Sequence, residues 1–240
     1  MRAAIGSKVE THKYPDAFIV GLTGPVAGLE GRARQYQRPG KMLGIMPMGQ
    51  ATYLHHCVGP RNFDEVKRSG FDRFKAEVTE AAPDMADSFR DVEAWARFAY
   101  FMPSWIRVER WVDNGVALLG DSAHTFHPHS GQGLNLSLQD ALSLADVIES
   151  CARKGDFSAK ALEAYPSNRK LYADVIGHHA HYAASYALSR RWLIGWLNRR
   201  ALRKLRKNPK LLKQALELTA GVFEKKPGLL TRARIGGILP

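Results

Sequence analysis

The sequence predicts a mixed α/β (α+β) protein: an antiparallel sheet, then part of an α/β layer, then helices. Three observations carry this. Strand-like segments dominate residues 1–111. The apolar run Val116–Leu119 ends in Gly120-Asp121 and is followed, within 112–189, by a glycine-led helix. Residues 190–240 form a basic, amphipathic tail. These are the three expected domains.

In the first, Ala17–Thr23 is apolar and partly β-branched and reads as a strand. Met42–Gly59 reads as two strands joined at Met48-Gly49-Gln50, where glycine supplies the positive φ of a tight turn. Phe63–Ala82 has helical spacing, with Phe63, Val66, Phe74 and Val78 as core anchors and Gly70 as a weak point. Arg97–Val112 returns to strand, interrupted at Pro103. Asp113-Asn114-Gly115 is a turn signal.

In the second, Val116–Leu119 is continuously apolar, the pattern of a strand covered on both faces. Ligands of open α/β sheets bind beyond strand carboxyl ends, where Asp121 falls. A carboxylate there can accept hydrogen bonds from a polyol. From Leu134 onward, Leu138, Ala141, Leu142, Ala145 and Ile148 keep a clear helical period. The helix begins at Gly131-Gln132-Gly133. Helix N-termini offer unpaired N–H groups and partial positive charge, so they suit an anion. Glycines admit a flat ligand close to the backbone.

Composition narrows the classes. Hydrophobic residues make up 45% and charged residues 24%, ordinary for a globular protein. No apolar run is long enough to cross a bilayer and no secretory signal is evident. The two cysteines show no metal or redox spacing. A cytoplasmic location follows as the default. The net charge is +12, and all of that excess lies in 190–240. A nucleic-acid-binding role for the whole chain therefore loses its support.

Gly120, Asp121, Ala123, His124, Pro128, Gly131, Gly133, Asn135, Asp140 and Ala141 reproduce the pattern G-D-x-A-H, Pro, G-x-G-x-N, Asp-Ala. On these residues the chain resembles the FAD-dependent (class A, para-hydroxybenzoate hydroxylase-type) flavoprotein monooxygenases. Tyr165 and Arg169 extend the likeness into the next helix. The resemblance implies a substrate-domain antiparallel sheet in 1–111 and the C-terminal part of a FAD-binding domain in 112–189. It places Asp121, after Gly120, on the ribityl chain and Pro128 near the ring. The backbone of Gly131, Gln132, Gly133, Leu134 and Asn135 would hold the pyrimidine edge. It implies NADH or NADPH as reductant. Reduced flavin would react with oxygen, and the C4a-hydroperoxide would hydroxylate an aromatic or quinone-like substrate. The motif holds no general base, so no catalytic residue is assigned.

The chain departs from the family in lacking both G-x-G-x-x-G and the Asp-Gly motif; Met1–Gly6 resembles the family's segment just after the Asp-Gly motif. A divided enzyme, a truncated product and a descendant without FAD are the readings open. The expected partner is a polypeptide carrying the N-terminal half, or a second copy of the chain. The alternative function is a non-catalytic accessory or membrane-associated protein that keeps the fold without flavin.

Tyr53, His55 and Phe101 are candidate substrate contacts; alternation lets only one of His55 and His56 face a given side. No metal is expected from His124, His127 and His129, because the motif accounts for His124. His178, His179 and His181 cannot share one helix face. In the tail, Ile194, Leu197, Ala201, Leu202 and Leu205 form an apolar arc opposite a basic one, with Trp192 and Trp196 as anchors. Packing on the body, peripheral binding to an anionic membrane surface, and binding to RNA or another acidic partner are the expectations for it. A quinone-like substrate would suit the membrane reading.

Overall fold

The computed structural model describes residues 2–3, 5–223 and 228–235. The tail residues 224–227 and 236–240 lie outside it, as do Met1 and Ala4. In chain order the first elements are β1 (Val9–Lys13), β2 (Ala17–Thr23), β3 (Arg34–Arg38), β4 (Lys41–Met48) and β5 (Ala51–Gly59). Next come α1 (Phe63–Arg68), α2 (Phe71–Ala81), β6 (Phe98–Phe101), β7 (Ser104–Val108), β8 (Val112–Asp113), β9 (Val116–Ala117) and β10 (His124–Thr125). The helices α3 (Gly133–Lys154), α4 (Ala159–Leu162), α5 (Ala164–Ala187), α6 (Trp192–Lys207), α7 (Pro209–Ala220) and α8 (Leu229–Ile235) complete it.

Two compact units are present. One comprises 14–103 and 187–195, the other 1–13, 104–186 and 196–240. Residues 1–13 thus group with 104–186, although they precede the sheet segments in sequence.

The first unit is a five-stranded antiparallel sheet in the order β3-β4-β5-β2-β6. Gly49 turns β4 into β5 with φ +61°. One face is covered by α1 and α2, and Ile19, Leu43, Ile45, Leu54, Phe74 and Val78 are buried there. The helix expected over 63–82 breaks at Gly70, whose φ of +90° ends α1 and starts α2. Asn62 caps α1: its side chain accepts from the Glu65 N–H at 2.9 Å, and its own N–H donates to Glu65 at 2.8 Å. On the covered side, His56 and Arg61 flank Glu77, with Nε2–Oε2 at 3.7 Å and Nη2–Oε2 at 2.7 Å. The neighbouring His56, then the hydrogen-bonded Arg61, holds the Glu77 carboxyl well below the usual carboxylate range.

The second unit holds the antiparallel sheet β1-β7-β10 and the two-stranded β8-β9 hairpin. Its core is formed by Ile5, Val108, Trp111, Val112, Leu118, Leu136, Tyr165 and Ile176 among others. Gly177 of α5 lets Trp105 lie against bare backbone: a Cβ there would stand 2.7 Å from the indole nitrogen.

One expectation is corrected. The strand at Val116–Leu119 shortens to β9, which pairs antiparallel with β8. Leu118 is buried but Leu119 is exposed. Apolarity signals burial, whereas a strand needs a hydrogen-bonding neighbour, and no parallel neighbour exists among the described residues. On α3 the apolar stripe faces outward. Leu134, Leu138 and Leu142 are 72, 58 and 70% exposed, while Leu136, Asp140, Val147 and Cys151 on the opposite side are buried. The period predicts the helix correctly but not which face is covered.

Candidate functional site

The Gly-Asp turn is built by sterics. Gly120 has φ +55°, and a Cβ on it would stand 2.7 Å from Ser137 Oγ of α3. Only glycine lets this turn pack so closely on the helix. Ser122 locks the turn: its Oγ accepts from the Leu119 N–H at 2.8 Å and donates to the Leu119 carbonyl at 2.7 Å. Arg2 donates to the carbonyls of Asp121 and Ser122, the latter at 2.8 Å. The turn is thereby held while the Asp121 side chain stays exposed, with no hydrogen bond to its carboxylate among the described residues. Sequence reasoning missed Arg2; a single arginine so far from the motif carries no signal for this contact.

From Thr125 the loop leads through Phe126 and His127 into a 3-10 turn, Pro128–Ser130. His127 is buried, and its Nδ1 accepts from the His129 N–H at 3.1 Å. Burial, then the neighbouring His129 and His181, pushes His127 down to about 3. It therefore stands neutral, as an Nδ1 acceptor must be. Pro128 is exposed beside it. Gly131 then takes the left-handed conformation, φ +65°, and delivers the chain into α3.

The start of α3 is open. Gln132 at its N-cap makes no side-chain cap, so the first N–H groups lack the usual side-chain acceptor. Nothing lies within 4 Å of where a Cβ on Gly131 or Gly133 would stand. Leu134 and Asn135 are exposed, and the Asn135 amide is 3.4 Å from the Gln132 side-chain oxygen. A bare helix N-terminus, two glycines without neighbours and an unengaged carboxylate at the preceding turn fit a ligand with a flat anionic edge and a hydroxylated chain. A flavin has that donor and acceptor set.

Behind the site lies a buried network. Asp140 is fully buried; its Oδ2 is 2.6 Å from His124 Nε2 and its Oδ1 accepts from Arg169 Nε at 2.8 Å. Arg169 also donates to Gln139 at 3.1 Å. This ties β10, α3 and α5 together. The motif contains these residues, but nothing in their spacing reveals that they meet. The Tyr165 hydroxyl is buried with no hydrogen-bond partner among the described residues, and burial pushes its ionisation far up. A cleft of about 190 Å³ is lined by Trp105, Arg107, Trp111, His124, Phe126 and Lys170, among others, and by no residue of the glycine loop 131–135. His124 is committed to Asp140 instead of to the spacing it shares with His127 and His129.

The substrate candidates fall in the five-stranded sheet. Leu54, His56 and Val58 point to the helix-covered core; Tyr53 and His55 point the other way. The register sets Phe101 beside Phe18, and Phe18 beside Cys57, next to the row of His55. Tyr53, His55 and Phe101 thus share the face opposite α1 and α2, where Phe101 packs against Phe18, Met42, Cys57 and Leu188. His55 lies over Gly44, whose missing Cβ would sit 2.0 Å from the imidazole. Burial, then His56, lowers the His55 pKa.

A family model described as an FAD binding domain matches residues 3–178. The chain is 32% identical over 117 residues to 6-methylpretetramide 4-monooxygenase of Streptomyces rimosus, covering 46% of this chain and 27% of the relative. It is 33% identical over 164 residues to ubiquinone hydroxylase UbiL of Rhodospirillum rubrum, covering 68% and 38%. In structure it is similar to Klebsiella pneumoniae HpxO, solved with FAD and uric acid, with a TM-score of 0.72 at 19% identity, covering 92% of this chain and 57% of that one. The chain spans little more than half of that neighbour and less than two fifths of the two curated relatives. With the family model matched over most of its length, the chain belongs to the FAD binding domain family of flavoprotein monooxygenase fold.

Proposed function

We propose that this chain forms the ring-edge and substrate-side part of an FAD-dependent, NAD(P)H-consuming monooxygenase that hydroxylates an aromatic or quinone-like substrate. The uncapped start of α3, beside a Gly-Asp turn with an unengaged carboxylate, is the observation that carries it. Bound there, a flavin would supply the redox and oxygen chemistry. Asp121 would accept hydrogen bonds from the ribityl hydroxyls. The N–H groups of 132–135 would stabilise negative charge on the pyrimidine edge. Pro128 would border the ring and supply no donor. Tyr53, His55 and Phe101 would present an aromatic surface to a flat substrate. The quinone-directed names among the relatives favour a lipophilic substrate and a peripheral membrane location.

The nucleotide-binding half, on the same or a second polypeptide, would seat on the exposed α3 stripe of Leu134, Leu138 and Leu142. A row of leucines in water is costly, about 25 cal/mol per Å² of apolar surface, and such a row calls for a cover. The test is to combine the chain with the N-terminal half of a family member. A yellow complex that oxidises NADH or NADPH and adds one oxygen atom to a quinol is expected. A colourless complex would overturn the enzyme reading in favour of an accessory protein.

A further inference from the structure

Helix α6 presents an unusual exposed face. Ala201 is buried, and Ile194, Leu197 and Leu205 are half-buried on the same side, so most of the apolar arc is engaged in packing, with Leu202 at its edge 54% exposed. The opposite side carries Arg199, Arg203, Arg206 and Lys207, all exposed, together with Trp192 and Trp196, which are 78 and 40% exposed. At the helical period of 3.6 residues these six share one arc. Arg200 stacks over the Trp196 ring at 5.5 Å. No Asp or Glu occurs between Asp174 and Glu217, so no carboxylate within this segment offsets the cations. Glu217 itself is engaged by Lys213 at 3.8 Å. The next two helices add exposed aliphatic side chains: Leu212, Leu216, Leu229 and Leu230.

We infer that this Trp–Arg face is a docking surface for an anionic lipid bilayer. Guanidinium groups pair with phosphate in a bidentate way. Indoles settle at the boundary between headgroups and acyl chains. Exposed leucines gain from an acyl layer and gain nothing from a nucleic acid backbone, which favours lipid over the other polyanion. No described helix is long and apolar enough to cross a membrane, so the contact is with the surface. The two faces of α6 divide the work: most of the leucine arc packs on the protein, and the basic face, with the tryptophans expected as anchors, is left for the membrane. The inference deepens the peripheral-membrane part of the proposed function and rests on that part alone.

The experiment uses the whole chain, without flavin or substrate, so its outcome is separate from that of the enzyme assay. Sedimentation is measured with phosphatidylcholine vesicles with and without phosphatidylserine, and tryptophan quenching with brominated lipids. Binding that needs phosphatidylserine, falls with salt and brings tryptophan quenching is expected. Each removed charge should weaken partition roughly fivefold. The triple variant R199Q/R203Q/R206Q should therefore lose roughly a hundredfold. W192A/W196A should lose the quenching while keeping most of the salt dependence. Circular dichroism checks that both variants fold. Equal binding to neutral vesicles, absence of quenching, or tighter binding to RNA than to anionic vesicles at the same salt would overturn the inference.

Discussion

Asp121 and Asp140 carry the same carboxylate in opposite surroundings. Asp121 is exposed and unengaged among the described residues; Asp140 is fully buried between His124 and Arg169. Charged hydrogen bonds are worth roughly 1.5–3 kcal/mol, and tenfold in affinity is about 1.4 kcal/mol. Asp121→Ala should therefore weaken FAD binding about ten- to a hundredfold in the assembled protein and leave the fold intact. Flavin-fluorescence titration beside circular dichroism checks it; unchanged affinity would remove the flavin assignment of this turn. Asp140→Ala should instead strip a partner from the buried Arg169. Breaking a buried pair costs about 3–5 kcal/mol. Denaturant unfolding should show the loss, with Asp140→Asn milder because it keeps an acceptor for Arg169. A stable Asp140→Ala protein would mean that water reaches the network.

At the scale of elements, the 3-10 turn of Pro128 depends on a neutral imidazole. His127 accepts the His129 N–H at Nδ1 and titrates at about 3 in the fold. The unfolded chain binds that proton near pH 6.5. Below about 6.5 the unfolded state thus holds more protons, and stability falls as pH drops toward about 3, by at most about 1.4 kcal/mol per pH unit. Above that window the contribution is complete. His127→Asn keeps an acceptor and removes the titration, so its unfolding midpoint should vary less with pH; identical slopes in both proteins would exclude His127 as the source. The elements differed in how far the sequence revealed them. The β4-β5 hairpin and the break at Gly70 were legible because glycine chemistry is local. The strands β1 and β3 were not: they are polar, exposed edge strands with no hydrophobic period. The contact of Arg2 with the Gly-Asp turn was hidden for a different reason, since it joins residues far apart in sequence. The glycine loop was legible because backbone geometry and residue type there are nearly the same information. The Asp140 network was not, because three helix and strand residues meet only once the chain has folded.

For the molecule as a whole, two surfaces are set apart from ordinary protein exterior. The charge excess of +12 belongs to the tail, and the leucine row belongs to α3. Leu138→Lys with Leu142→Lys should hardly change the stability of the chain alone, because exposed substitutions usually stay within about 0.5 kcal/mol. The same pair should suppress self-association, read as loss of concentration dependence in sedimentation velocity, and should abolish assembly with a nucleotide-binding half. Normal assembly of that variant would show that the cover lies elsewhere. The helix α3 was legible in the sequence and its cover was not: amphipathic period is a property of a helix, whereas coverage is a property of everything around it.

The leucine row also bears on how much of this protein a cell can keep. An uncovered apolar row of this kind is a feature that chaperones retain and proteases sample, and cellular abundance follows the fraction so exposed. A chain whose α3 row is left uncovered should therefore turn over quickly, and one whose row is covered should persist.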